Sequence, residues 1–143
     1  MKILGLDLGS KTIGVAVSDD LALTAQVLTS IQRTIKKKDL AVIVGLAKEH
    51  QVEEIVVGLP INMDGTKGDS AQKAEAFMEE LRQNFSIKIT PWDERLSTVA
   101  AERILLEGDL SRKKRRKVID RLSAAIILQG YLDSRPRKNG ELY

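Results

Sequence analysis

The amino-terminal segment ILGLDLGSK, residues 3–11, constrains the fold more than any other part of the chain. Nearly every position before its turn is apolar or glycine, without the strict alternation that marks a strand with one solvated face. Such a strand is typical of a sheet centre that is buried on both sides. Its one carboxylate, Asp7, stands just before the Gly9-Ser10-Lys11 turn. A charge at this depth needs a specific partner, because burying an unpaired charge is costly.

Two further strands are predicted directly after the first. Residues 12–19, TIGVAVSD, alternate apolar with small residues, and the short glycine-containing link before them predicts a hairpin. Residues 21–31, LALTAQVLTSI, can form a third antiparallel strand. The first part of the sheet is therefore predicted to be a three-stranded meander.

The apolar pattern then changes from the period of strands to the period of helices. One helix is predicted over residues 39–51 with Asp39 as its N-cap, and a second begins after Ser70 as N-cap. A short apolar strand follows each helix, EIVVGLP at 54–60 and IKITPWDE at 87–94.

Two more helices complete the predicted element order. Ser97 can cap a helix that Gly108 ends, and a last helix follows a basic run and ends near Leu132. Crossover connections make strands 1, 4 and 5 parallel neighbours. The predicted fold is therefore α/β, with a five-stranded mixed sheet of three antiparallel strands and then parallel βα units, flanked by helices. We expect a single domain over residues 1–135 and a short basic tail at 136–143.

Composition restricts the environment of the chain. Hydrophobic residues make up 43% and charged residues 30%, which is typical of a globular protein. No apolar run approaches the roughly 18 residues of a membrane-spanning helix, and the amino terminus lacks the pattern of a secretory signal. The absence of cysteine excludes disulfides and thiolate metal sites and fits a reducing compartment. We therefore expect a cytoplasmic protein that makes no membrane contact.

Positive charge is concentrated in one run, although the net charge is only +3. Its six consecutive residues are Arg112, Lys113, Lys114, Arg115, Arg116 and Lys117. Such a run is typical of a surface that binds the phosphate backbone of a nucleic acid. The alternative is a solvated loop that binds nothing specific. An aromatic content of 3% leaves few side chains that could stack on bases.

Acidic residues are predicted to gather at one edge of the sheet. Asp7 ends the first strand, Asp93 and Glu94 end the fifth, and Asp120 opens the last helix. Since ligands bind at the carboxyl ends of parallel strands, these acids can share one cleft. Carboxylates without histidine or cysteine favour Mg²⁺ or Mn²⁺ over zinc. Each acid also has a structural alternative, because Asp7 can accept bonds within its turn and the others can cap helices or pair with arginines.

Four segments resemble the signature segments of the YqgF/RuvX family: LGLDLGSKTIGVAVSD, EIVVGLPINMDGTKG, PWDERLSTVAAERIL and VIDRLSAAIILQGYLD. The resemblance covers nearly the whole chain. That family comprises bacterial pre-16S rRNA nucleases that are also described as Holliday-junction-resolvase-like. The resemblance implies a ribonuclease H-like fold and a cytoplasmic nuclease that matures the 5′ end of 16S rRNA during ribosome assembly.

The resemblance also implies roles for individual acids. Asp7 matches the family's strand 1 acid, Asp93 and Glu94 match the acids of its "DER" segment, and Asp120 matches the acid of its last helix. Asp7 would then bridge two divalent ions, with Glu94 on one and Asp120 on the other, and Asp93 is the alternate for Glu94. Related junction resolvases carry a second acid three residues after the helix acid, where this chain has Ser123. That departure disfavours junction resolution.

Basic residues beside these acids are predicted to hold the substrate. Lys11 adds charge to a turn that can pass close to a phosphate, and Arg95 can bind a flanking phosphate through two N–H groups. The run at 112–117 would follow the nucleic-acid backbone without reading bases. The loop at 62–65 is expected to position the backbone beside the site.

These features and the resemblance together predict a metal-dependent endonuclease acting on structured RNA. The resemblance implies precursor 16S rRNA or the pre-ribosomal particle as its partner. The alternatives are a Holliday-junction or branched-DNA resolvase and a non-catalytic RNA-binding assembly factor. The motif DLGS also resembles the first phosphate loop of sugar kinases and actin-like ATPases, but those proteins bind nucleotide between two such domains. A Rossmann nucleotide binder is disfavoured because no G-x-G-x-x-G joins a strand to a helix. The oligomeric state, a homodimer included, stays open.

Overall fold

The computed structural model describes residues 1–95 and 111–135, apart from the side chains of residues 112 and 115–120. The elements in chain order are β1 (Lys2–Leu8), β2 (Thr12–Ser18), β3 (Ala25–Gln32), α1 (Lys36–Glu49), β4 (Val52–Leu59), α2 (Asp69–Asn84), β5 (Lys88–Asp93) and α3 (Arg112–Ser134). The helix predicted between Ser97 and Gly108 and the tail at 136–143 lie outside the described residues. No helix in the described parts of the chain is long and apolar enough to cross a membrane.

The sheet has five strands in the order β3-β2-β1-β4-β5. β2 pairs antiparallel with β1 and β3, while β1, β4 and β5 are parallel neighbours. This confirms the predicted α/β architecture. It also places the apolar β1 strand at the centre of the sheet.

Helices cover both faces of β1, which explains why its sequence does not alternate. Leu4 and Leu6 are fully buried on the face that α1 and α2 cover, together with Phe77 of α2. Ile3 is fully buried on the opposite face, where it packs with Leu128 of α3. Burial of such side chains is worth roughly 1.5–3 kcal/mol each. The core therefore consists of two layers that share the central strands.

Glycine lets α3 approach the backbone of β1 very closely. A Cβ atom at Gly5 would lie 2.8 Å from Leu128 Cβ and 3.2 Å from the Ala124 carbonyl oxygen. A side chain at this position would push the helix away from the strand. The short distance brings the middle of α3 next to the end of β1, where Asp7 lies.

Two predicted N-caps are wrong. α1 begins at Lys36, after Ile35, whose side chain caps nothing. Asp39 lies in the first turn, where its Oδ1 accepts hydrogen bonds from the Thr34 backbone N–H at 3.0 Å and hydroxyl at 3.2 Å. α2 begins at Asp69 after Gly68, and no side chain caps it either. The apolar period shows that a helix exists, but its first turn depends on local hydrogen bonds.

Two further element starts differ from the prediction by four residues or more. β3 starts at Ala25 because Asp19 Oδ1 accepts hydrogen bonds from the backbone N–H groups of Leu23 at 2.7 Å and Thr24 at 3.0 Å, which folds that segment into a turn. α3 begins at Arg112, so the basic run is helical and is not a loop, and Asp120 lies inside the helix instead of opening it.

Candidate active site

Two of the predicted acids meet at the carboxyl edge of the sheet. Asp7 lies near the end of β1, and Glu94 directly follows β5. The carboxyl group of Glu94 is hydrogen-bonded to that of Asp7. On the other side, the Ser123 hydroxyl of α3 donates a hydrogen bond to Asp7 Oδ2 at 2.5 Å. A strand edge and a helix thus converge on one carboxylate.

Gly58 of β4 provides the space that Glu94 needs to reach Asp7. β4 lies between β1 and β5, so the Glu94 side chain has to pass over it. A Cβ atom at Gly58 would overlap Glu94 Oε1 and lie 2.6 Å from Ile127 Cδ1. This role was missed in the sequence analysis, although a glycine inside an apolar strand is a known sign of close approach.

The environment of Glu94 disfavours its charge. Burial, the neighbouring charge of Asp7, the hydrogen bond to Asp7 and the charge of Asp93 together raise the pKa of Glu94 from 4.5 to about 7. Two close carboxylates cannot easily both ionise without a cation. Paired hard oxygen donors of this kind fit Mg²⁺ or Mn²⁺. The pair therefore has the donor chemistry of a divalent-metal site.

The raised pKa makes the stability of the metal-free protein pH-dependent. Unfolded Glu94 ionises near 4.5, whereas the folded protein holds the proton to about pH 7, so stability is expected to fall as the pH rises between these values. The effect is at most about 3 kcal/mol, since each pKa unit is worth about 1.4 kcal/mol and solvent screens part of the side chain. The measurement is urea unfolding in EDTA from about pH 5 to pH 8. Glu94→Gln should show a flatter profile, and identical profiles would contradict the expectation.

Asp93 points to a different partner. Its Oδ2 is 2.7 Å from Arg95 Nη2 and 3.0 Å from Arg95 Nε, and its Oδ1 accepts from the Arg95 backbone N–H at 3.0 Å. These hydrogen bonds lower the pKa of Asp93. Of the two acids in DER, Glu94 therefore faces Asp7, and Asp93 orients Arg95. Arg95 Nη1 also donates to the Asn62 carbonyl at 3.3 Å, which ties the loop after β4 to the site.

The turn after Asp7 is held by a residue that the sequence analysis missed. Arg33 donates from its guanidinium to the Gly9 carbonyl at 2.8 Å and from its backbone N–H to the Lys11 carbonyl at 2.9 Å. Buried Asp39 lies 3.7 Å from the same guanidinium. Lys11 itself is exposed at the turn. Contacts between residues so far apart in the chain leave no local sequence signal.

The carboxyl-terminal half of α3 is anchored by a buried acid. Glu54 of β4 accepts hydrogen bonds at 2.6 Å from both the Thr90 hydroxyl and the Tyr131 hydroxyl. Burial and the bond to Glu54 raise the pKa of Tyr131 to about 12. The Tyr131 ring also packs edge-on against Trp92, with 5.9 Å between centroids. This anchor fixes α3 on the sheet and with it the position of Ser123.

The remaining predicted site residues lie on the first turns of α3. Asp120 lies three residues before Ser123, and its side chain is outside the described part of the structure. Lys113 and Lys114 are exposed. α3 passes from Leu128 over Gly5 to Ser123 beside Asp7, and the turns before Ser123 continue for roughly 15 Å of helix. Among the side chains that the structure describes, no three Asp, Glu, His or Cys residues group closely enough to hold a metal ion.

Comparisons with known proteins give the family. The family model RuvX, described as Holliday junction resolvase, matches residues 1–134. A Myxococcus xanthus protein is 54% identical over 134 residues, covering 94% of this chain and 89% of its own length. A Clostridium beijerinckii protein is 54% identical over 138 residues, covering 96% of this chain and 100% of its own. Both carry the name "Putative pre-16S rRNA nuclease".

Solved structures show the same fold at low identity. RuvC from Thermus thermophilus, solved with a Holliday junction substrate, has a TM-score of 0.57 and 16% identity, and the match covers 94% of this chain and 95% of RuvC. The fowlpox virus Holliday junction resolvase has a TM-score of 0.54 and 14% identity, with 94% and 100% covered. Over nearly its whole length, the chain therefore belongs to the RuvX family of nucleases and has their ribonuclease H-like fold.

Proposed function

We propose that the protein is a divalent-metal-dependent endonuclease that hydrolyses phosphodiester bonds in structured RNA. Its role would be the 5′-end maturation of precursor 16S rRNA in the cytoplasm, during ribosome biogenesis. The observation that carries the metal dependence is the hydrogen-bonded pair of Asp7 and Glu94 at the carboxyl edge of the sheet. The names of relatives that are more than half identical support the RNA substrate.

Asp7 and Glu94 would hold the ion, and Asp120 on α3 is the proposed third ligand. When bound, Mg²⁺ or Mn²⁺ would lower the pKa of the attacking water and neutralise charge on the phosphate and the leaving oxygen. Glu94 would have to be ionised to hold the ion, and a bound cation would offset the burial and the neighbouring carboxylate that raise its pKa. Ser123 holds Asp7 in place through Oδ2.

The basic residues around the acids would bind the RNA. Arg33 holds the turn at 9–11 through the Gly9 carbonyl, and Lys11 of this turn would bind a phosphate near Asp7. Arg95 is kept in one orientation by Asp93, so that its remaining N–H groups can reach a flanking phosphate. The basic first turns of α3 would follow the backbone of the cleaved strand beyond the sheet edge.

The second candidate function is resolution of branched DNA. The description of the RuvX family favours it. Ser123 argues against it, because a hydroxyl that donates to Asp7 adds no negative charge where related resolvases carry an acid. A neutral ligand binds a divalent ion less well than a carboxylate does. RNA cleavage is therefore the preferred assignment.

The test compares substrates and metals directly. Purified protein is incubated with precursor 16S RNA and with a four-way DNA junction, each in Mn²⁺ and in EDTA. The expected result is cleavage of the RNA in Mn²⁺ only, with the junction left largely intact. Preferential junction cleavage would establish the resolvase. RNA binding without cleavage, together with no calorimetric Mn²⁺ binding, would establish a non-catalytic assembly factor.

A further inference from the structure

A second basic surface lies at the same sheet edge as the acids, on the opposite face from α3. β3 runs parallel to β1, because each pairs antiparallel with β2, so both end at the edge that carries Asp7. α1 begins shortly after β3, and its Ile43 packs in the cluster of Leu4 and Leu6. Leu128 of α3 packs in the other cluster. The first turn of α1 is therefore placed at the active-site edge, across the sheet from the start of α3.

This first turn carries Lys36, Lys37 and Lys38, all of them exposed. Cations at a helix N-terminus are unfavourable, because the N-terminal end of the helix dipole is positive. Lys36 is 3.1 Å from Glu80. Within the described residues, no acidic side chain forms an ion pair with Lys37, Lys38 or Lys11. Lys37 and Lys38 therefore keep positive charge without an ion pair among the described residues, in a first turn whose one acid, Asp39, faces Thr34 and Arg33.

The Arg33 contacts connect this turn to the catalytic edge. Arg33 holds the Gly9–Lys11 turn through two carbonyl groups and lies just before the start of α1. Arg33 thus ties the turn that carries Lys11 to the chain segment that leads into the lysines of α1.

We propose that Lys37 and Lys38, next to Lys11, form a second phosphate-backbone contact that binds a base-paired RNA stem flanking the cleaved strand. The proposal rests on the proposed function, which puts the cleaved strand at Asp7 and along α3. A single strand offers one phosphate backbone and can follow the α3 side alone. A stem offers a second backbone, which can reach the opposite face of the sheet. The substrate class is therefore RNA with a duplex next to the cleavage point.

The test measures binding in EDTA, so that no cleavage occurs, to two RNA probes. One is a hairpin with a single-stranded overhang, and the other is the overhang alone. Lys37→Gln/Lys38→Gln should weaken hairpin binding about tenfold at low salt and reduce the log–log salt slope by about 1 per lysine. Its binding to the overhang alone should change less than about twofold.

Matched variants separate this contact from general charge loss. Lys2→Gln/Lys48→Gln removes the same charge at the opposite edge of the sheet and should leave both affinities nearly unchanged. Lys113→Gln/Lys114→Gln on α3 should weaken binding to both probes. Thermal unfolding of the α1 variant should match or exceed wild type, because unfavourable cations have left the helix start.

Two outcomes would overturn the proposal. If the variant loses the same affinity for the hairpin and for the overhang, Lys37 and Lys38 form a general electrostatic surface. If it loses no more affinity than the Lys2/Lys48 control, these lysines serve solubility. The endonuclease proposal is judged separately, by Mn²⁺-dependent cleavage. If the wild type never cleaves RNA but the Lys37→Gln/Lys38→Gln variant loses affinity for the hairpin alone, the stem contact is supported and the catalytic role is rejected.

Discussion

Asp7→Asn is expected to lower metal-dependent cleavage of the preferred RNA at least about a hundredfold, because even ligand-supporting residues around metal sites cost 10–100-fold when they are lost. The amide keeps the shape of the side chain and can still accept from the Ser123 hydroxyl. It removes the negative charge that a divalent ion needs. Cleavage rate and calorimetric Mn²⁺ affinity are the two measurements, and both should fall together.

Loss of folding is not the expected cause of that result, because the change removes one negative charge from the close Asp7–Glu94 pair and keeps an oxygen that can accept the hydrogen bond from Glu94. The metal-free variant should unfold at the same temperature as wild type or at a higher one. Asp20→Asn is the matched control, since Asp20 is exposed and pairs only at 3.8 Å with Lys2 at the other end of β1. Full activity of the Asp7 variant would remove this residue from the mechanism.

Gly58→Ala is expected to impair both stability and catalysis. The added methyl group would overlap Glu94 Oε1 and press on Ile127 of α3. Because the contacted atoms belong to side chains that can shift, the stability cost is expected at the lower end of the roughly 1–3 kcal/mol typical of overpacking. Relief would require Glu94 to turn away from Asp7, so Mn²⁺ affinity and cleavage should fall as well. Chemical unfolding, metal titration and the cleavage assay measure the three effects.

Gly45→Ala provides the contrasting control. Gly45 is exposed in the middle of α1, and a Cβ atom there would meet nothing within 4 Å. Alanine should therefore stabilise the protein by about 0.5–1 kcal/mol through helix propensity, with unchanged activity. A Gly58 variant that is as stable and as active as wild type would show that Glu94 does not need to pass over β4.

At the candidate active site, the fold holds two carboxyl groups in an electrostatically unfavourable arrangement. Glu94 is held against another carboxylate at the sheet edge, where burial and that neighbouring charge raise its pKa to about 7. Two other acids are well paired: Asp93 has Arg95, and Glu54 has two hydroxyl donors. An unneutralised acid pair beside well-satisfied ones is typical of a functional site.

The predicted sheet was correct because the signals it rests on are local. The apolar β1 run, the short glycine turn after it and the helical spacing between later strands together allow only a mixed sheet with β1, β4 and β5 parallel. Helix starts were predicted less well. Asp39 and Ser70 have the right chemistry for N-caps, but neither caps its helix, because an apolar period marks a helical face without marking its first residue.

The order of the described elements and the meeting of Asp7 with the end of β5 follow from the sequence alone, because strand period, crossover direction and strand ends are properties of neighbouring residues. The choice of Glu94 over Asp93 as the partner of Asp7 was decided by tertiary structure, since Arg95 binds Asp93 and Gly58 leaves room for Glu94. The hydrogen bond from Arg33 to the Gly9 carbonyl, which holds the turn after Asp7, likewise depends on contact between distant segments. Such contacts arise only when packing sets distances in space, which a linear pattern does not contain.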